Sequence, residues 1–289
     1  MAPVKIGVYI RLLGRQGRDG SPTWQSIATA ARAAEAAGLD LIALEDGLLY
    51  ETPDGQVGVW EAVSVAAAVA AVTSSIGIAH AVLNSPYRYP GRVAAIANTL
   101  DEISGGRYTL GIGAGNTPDD YPRFGIDADP RYSRFEEAIQ IIHGLLKQGR
   151  YSYSGTYYRV DAAALPLRGP SPVGPRISIA AGKPKMIRLA ARYADEWNWW
   201  VDPSEVEVAR ALAAEVDVAC AEVGREPATL RRSLDLFSIG SGGRPAATAD
   251  KLRLFGDAGF DLLRCDLKPG DGAGQLDAIA WLGEVAQLL

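Results

Sequence analysis

Two short stretches of this 289-residue sequence have the residue types and spacing to hold a ligand. At 111–115, Gly-Ile-Gly-Ala-Gly puts small residues where backbone can pass close to something flat or bulky. At 180–186, Ala-Ala-Gly-Lys-Pro-Lys-Met reads as a strand running into a helix. Free backbone N–H groups and the positive helix end converge in such a loop, and Lys183 and Lys185 add charge, so a phosphate suits it. By spacing alone an ordinary strand-to-helix turn accounts for either stretch equally well. Neither is a P-loop or a dinucleotide fingerprint, since the glycine spacing and the acidic follow-up are missing. Glu45-Asp46 closes a predicted strand, where neighbouring side chains point oppositely, so at most one carboxylate enters a common site and the two are no acid/base dyad. Such a carboxylate suits a ligand's hydroxyls, or equally a helix cap or a surface ion pair.

The other reactive side chains are few. Two histidines, His80 and His143, exclude a His-rich metal site, and both read as structural. Cys220 and Cys265 form no disulfide framework and suit a reducing compartment as buried thiols. Trp197, Trp199 and Trp200 read as core filling rather than as an aromatic wall. No Ser/His/Asp set is assembled, so demanding chemistry has to come from a cofactor. A net charge of −5 argues against nucleic acid as a partner. The apolar run 62–72 is too short for a membrane helix, which needs about 20 residues. A strand-like run begins at Val4, which leaves no place for a signal peptide, and the expectation is a soluble cytoplasmic protein acting on a small molecule.

These residues must be positioned by a regular alternation. Strand patterns fall at 4–10, 39–46, 75–82, 108–115, 176–182, 196–201, 231–240 and 261–267. Helical patterns lie between and after them, at 23–37, 60–72, 90–103, 131–148, 184–194, 204–223, 247–257 and 274–288. Eight of each predict an α/β chain folded as a closed (β/α)8 TIM barrel rather than an open doubly wound sheet. We expect one domain over 1–289, with an excursion at 149–175 between strand four and strand five. Tyr151, Tyr153, Tyr157 and Tyr158 make that excursion a packed flap. In such a barrel the active site lies at the C-terminal ends of the strands.

At those ends the sequence resembles the bacterial luciferase-like monooxygenase superfamily. The resemblance is carried by AAEAAGLDLIALED (33–46), TSSIGIAHAVLNSPYRYP (73–90) and TLDEISGGRYTLGIGAGN (99–116). It continues in the Phe124-Gly125 turn, RFEEAIQIIHGLL (134–146) and AAGKPKMIRLAARYADEWNWW (180–200). It implies an oxidoreductase that transfers hydride between coenzyme F420, or alternatively FMN, and a small organic substrate, and it implies a homodimer. Under it, Asp46 is the acidic position that contacts the deazaflavin ring, and Ala81-Val82 is a non-prolyl cis peptide backing that ring. Asn84, Ala114 and Gly115 line the ring edge and ribityl chain, with Asn116 next to them. Ala181, Gly182, Lys183, Lys185 and Met186 form the phosphate loop, where Gly182→Asp is expected to abolish coenzyme binding. Departures are also plain. Gly47 stands where F420-dependent dehydrogenases commonly have a histidine, Asn116 where some have a glutamate, and Lys183 where a second glycine is usual. Those departures keep two other readings open: a carrier or sensor barrel without turnover, and a cofactor-free enzyme for phosphorylated substrates. The loop 13–23 with Arg15 and Arg18, the segment 47–59 and the flap are the expected substrate determinants.

Overall fold

A computed structural model describes residues 3–15, 20–53, 55–116, 120–268 and 274–289; Arg18 lies outside them. Eight parallel strands run β1 (Lys5–Tyr9), β2 (Leu41–Leu44), β3 (Gly77–His80), β4 (Tyr108–Gly113), β5 (Arg176–Ala180), β6 (Glu196–Val201), β7 (Arg231–Gly240) and β8 (Leu262–Lys268). Each pairs with the next in sequence, and β8 returns to β1 through Lys5↔Leu262 to Val8↔Cys265, so the sheet closes. The helices that follow them are α1 (Trp24–Ala36), α2 (Ala62–Val72), α3 (Pro90–Ser104), α4 (Arg131–Gln148), α5 (Pro184–Tyr193), α6 (Val206–Glu222), α7 (Pro245–Asp257) and α8 (Gln275–Gln287). This is the (β/α)8 barrel that the alternation predicts. None of the described helices is long and apolar enough to cross a membrane.

The main core sits between strands and helices. Val8, Ile42, Ile78, Leu110, Ile177, Trp197, Leu234 and Cys265 point outward from successive strands and are fully or almost fully buried. The predicted stripe of α4 joins the same core, and its Phe135, Ala138, Ile139, Ile142, Leu145 and Leu146 are all buried. Each Val, Leu, Ile or Phe side chain buried in this way contributes about 1.5–3 kcal/mol. Local chemistry sets the ends: Glu61 caps α2 by accepting from the Val63 and Ser64 N–H groups, and Gly149 ends α4 at φ 78°.

The inside of the barrel is built differently. Tyr9, Leu41, Ala43, Ala79 and Leu262 form a small separate apolar cluster. Gly7, Arg264 and Asp235 lie abreast on β1, β8 and β7. Leu41 takes the space a side chain at Gly7 would need, with its carbonyl 3.0 Å from where a Cβ would stand. The Arg264 guanidinium is fully buried and donates through Nε to Asp235 Oδ1 at 2.6 Å.

Two excursions flank the mouth. The flap is an antiparallel hairpin, Arg150–Ser154 with Arg159–Ala164. Its turn is tied to α4 by the Glu137 carboxylate, which accepts from the N–H groups of Thr156, Tyr157 and Tyr158. The segment after β2 is also a hairpin, Leu49–Thr52 with Gly55–Val59, extended by Leu13–Gly14 into a three-stranded sheet. No alternation marks these strands, because both of their faces are partly exposed.

Candidate functional site

A cavity of about 320 Å³ opens at the C-terminal ends of the strands, and it gathers most of the residues singled out from sequence. Asp46, Ala81, Val82, Asn84, Ala114, Gly115, Asn116, Gly182, Lys183 and Met186 all line it. Its floor is made of small groups: the Ala81-Val82 peptide, which is cis, with Gly113, Ala114 and Ala180 beside it. A larger hollow of about 480 Å³ sits at the opposite end of the barrel. Two of its cations are committed to the fold: Arg107 donates to the carbonyls of Ser104, Ile76, Ala70 and Thr73, and Lys147 pairs with Asp195 at 2.8 Å.

Two predicted residues fall outside the cavity. Ala181 faces the outer core, fully buried, with its carbonyl accepting from the Trp197 indole at 2.7 Å. Lys185 is exposed and turned back over the Tyr132 ring, 5.6 Å from its centroid. Lys183 is the N-cap of α5, and among the described residues no side chain caps that helix. Its positive end therefore faces the cavity rim beside Lys183 and Met186.

At the acidic end, the structure changes the sequence reading. β2 ends at Leu44, so strand alternation no longer governs Glu45 and Asp46, and both line the cavity. They remain separate groups, each with its own partners. Asp46 is held by Arg88, Nη1 to Oδ2 at 2.7 Å and Nη2 to Oδ1 at 3.0 Å, and accepts the Asn84 N–H at 2.8 Å. The carboxylate thus ties the end of β2 to the loop after β3. Asn84 in turn accepts through Oδ1 from the Tyr121 hydroxyl at 2.9 Å. Gly115, at φ 98°, has no space for a side chain, since a Cβ would come within 2.1 Å of that hydroxyl. Glu45 accepts from the Leu12 and Leu13 N–H groups through Oε1, and burial raises its pKa from the usual carboxylate value.

Gly47 acquires a reason. A Cβ there would lie 2.7 Å from the Tyr50 hydroxyl, so the phenol fills the space a side chain at 47 would need. Tyr50 lines the cavity, and burial raises its pKa well above the ordinary phenol value. Sequence reasoning missed Tyr50 because its hairpin was invisible, although Pro53-Asp54-Gly55 is a turn signal that could have exposed it.

The tryptophans divide. Trp197 is core, as expected. Trp199 and Trp200 instead line the cavity, which corrects the core-filling expectation. Both lie at the end of β6, and Trp200 shares the inward parity of Glu196 and Asn198 while standing above the packed barrel. Trp199 packs directly against Gly182, where a Cβ would meet its ring atoms at 2.1 Å. Below the cavity, Asn198 Nδ2 donates to Asp235 Oδ1 at 3.4 Å, which links the wall to the buried Arg264. Arg264 Nη1 and Nη2 have no hydrogen-bond partner among the described residues.

The structural readings of the other groups hold. His80 is fully buried, shares a 2.6 Å hydrogen bond with the Tyr108 hydroxyl through Nδ1, and burial pushes its pKa down to about 4. Cys220 and Cys265 are buried free thiols. Among the described residues no group of three or more His, Cys, Asp or Glu could hold a metal.

A luciferase-like monooxygenase family model matches residues 4–262. The chain belongs to that family. It is 34% identical over 187 residues to an F420-dependent hydroxymycolic acid dehydrogenase of Mycobacterium tuberculosis, a match covering 63% of this chain and 50% of that protein. It is 38% identical over 132 residues to an F420-dependent glucose-6-phosphate dehydrogenase of Beutenbergia cavernae, covering 44% and 38% respectively. The matches thus span from over a third to half of the length of these two curated relatives. Among solved structures, an F420-dependent secondary alcohol dehydrogenase superposes with TM-score 0.81 at 16% identity, over 98% of this chain and 99% of that one. That likeness shows that the two share one barrel fold. The residues present fit a flat ring carrying a phosphate arm: a floor without bulky side chains, an indole wall, and an uncapped helix N-terminus at one rim.

Proposed function

We propose that this protein is an oxidoreductase that uses coenzyme F420, with FMN as the alternative, to exchange a hydride with a small organic substrate at the barrel mouth. The observation that carries this reading is the cavity itself, whose floor of Ala81-Val82, Gly113, Ala114 and Ala180 lies between the Arg88-braced Asp46 and the start of α5. Family membership and the printed activities of the F420-dependent relatives support it. We favour F420 because Asp46 stands at the ring end. Its oxygens are already held by Arg88 and the Asn84 N–H, so its part is to fix the wall and the local charge.

When bound, either coenzyme supplies a ring that accepts or gives a hydride. The protein's own residues then position and handle protons. Ala81-Val82, Gly113 and Ala114 let a ring approach the backbone, Trp199 and Met186 close the side, and the α5 N-terminus with Lys183 takes the phosphate arm. Reduction of a carbonyl needs a proton at oxygen, and oxidation of an alcohol releases one. On the cavity wall, the Tyr50 hydroxyl and the Glu45 carboxyl can hold that proton. Tyr50 stays protonated through the neutral range, so it serves as a donor.

The test is the change in coenzyme absorbance when the protein is mixed with F420 or FMN and a panel of secondary alcohols and ketones. Turnover with F420 is expected, and Tyr50→Phe should lower kcat by about a hundredfold while changing KM little. Binding of coenzyme with no spectral change across the panel would overturn the reading in favour of a carrier.

A further inference from the structure

We propose that the β6–β7–β1 side of the mouth seats the substrate, and that it takes an extended alkyl or aryl body bearing one carbonyl or hydroxyl, not a phosphorylated sugar. Calling the occupant a substrate rests on the oxidoreductase reading above; the apolar preference rests on geometry alone. Four aromatic rings run in sequence across this side. Trp199 and Trp200 are 6.3 Å apart, Trp200 and Phe237 6.5 Å, and Phe237 and Tyr9 5.8 Å between centroids. The chain of rings begins at the cavity wall and ends over the barrel interior, because Trp199 lines the cavity while Tyr9 belongs to the inner cluster.

Trp200 and Phe237 leave 54% and 41% of their surface in solvent. Two adjacent large rings exposed at the functional end of a barrel are unfavourable unless something covers them.

The backbone is bent to present Phe237. The pairing of β7 with β8 slips between Leu236 and Ile239, and Ser238 sits at φ 59°, in the left-handed region that a side-chain-bearing residue rarely adopts. A bulge of this kind re-aims a side chain, and such strain persists where the surroundings hold it. Here the Asp266 carboxylate lies against the Ser238 backbone N–H. Arg11, the cation beside this bulge, is drawn to the same carboxylate at 3.7 Å. Its charge is thereby partly answered before any phosphate arrives.

The test is calorimetric titration of the full chain with 2-butanone, 2-hexanone, 2-octanone and glucose 6-phosphate, with and without F420. Affinity should rise by roughly three- to fourfold per methylene along the ketone series. Phe237→Ala should weaken 2-octanone at least tenfold, Phe237→Leu less, and neither should move the F420 dissociation constant by more than twofold. Circular dichroism checks that both variants fold; their exposed position favours it. Affinity independent of chain length, tighter binding of glucose 6-phosphate than of 2-octanone, or an unchanged ketone affinity in Phe237→Ala would overturn the proposal. Ketone binding with the expected pattern but no binding of F420 or FMN would sustain the apolar seat and refute the coenzyme reading.

Discussion

Gly182→Ala adds one methyl group and no charge, and the structure says where it lands. Its Cβ would lie 2.1 Å from Cε2 and Cζ2 of Trp199 and 2.6 Å from Cη2. Carbon atoms in good contact are about 3.5–4.0 Å apart, so the indole or the loop must give way by roughly 1.5 Å. Overpacking of this size costs about 1–3 kcal/mol. Because Trp199 is a wall of the cavity, the displaced ring should also weaken F420 binding by about tenfold or more. Urea unfolding and coenzyme titration measure the two effects, each repeated in a Trp199→Ala background. With the indole gone, the added methyl should be nearly neutral, giving a coupling of about 1–3 kcal/mol between the two positions. Equal cost of Gly182→Ala in both backgrounds would refute the reasoning. An aspartate at 182 would mix the same clash with repulsion of a phosphate, so alanine separates the steric cause from the electrostatic one.

Other outcomes follow from the buried groups. Asp235→Ala leaves the Arg264 guanidinium buried and unpaired and should cost about 3–5 kcal/mol, most of it recovered in Asp235→Leu/Arg264→Met; a loss under about 1 kcal/mol in the single variant by urea unfolding would contradict this. His80, whose pKa is pushed from 6.5 down to about 4 in the folded state, binds fewer protons there than in the unfolded chain. Stability should therefore fall as pH drops through the window between those values, by about 2 kcal/mol from pH 7 to pH 5. In His80→Gln that component should vanish, and an unchanged pH slope would show that other groups cause it. Shrinking Tyr50 to alanine should make Gly47→Ala tolerable, whereas in the parent chain Gly47→Ala should lower the unfolding midpoint by a cost of about 1–3 kcal/mol; equal costs in both would mean the phenol is not what excludes a side chain there.

The barrel was legible because its signals are local. The α4 stripe, the glycines after helix ends and the short β-branched runs each follow from neighbours in sequence, and the structure keeps all eight strands and eight helices near the expected positions. The start of α5 was legible for the same reason, since a strand running into Lys183-Pro184 makes a helix start by itself. What stayed hidden depends on partners distant in sequence. Arg88 finds Asp46 across 42 positions, and Arg264 finds Asp235 across 29. Glu45 escapes the alternation argument because the strand ends at Leu44, two residues before the expected end at 46. Trp199 and Trp200 looked like core because composition does not tell how far a strand extends past the packed layer. Phe237 depends on a bulge, and a bulge leaves no mark on a pattern that alternates on both sides of it.

The central claim is that the cavity beside Trp199 and Trp200 holds a deazaflavin or flavin. Tryptophan emission of the ligand-free protein, titrated with F420 and separately with FMN, tests it directly. Saturable one-to-one quenching by F420 is predicted, weakened in Lys183→Glu and Gly182→Ala. Tight quenching by FMN alone would overturn the choice of coenzyme, and no saturable quenching by either would contradict the account.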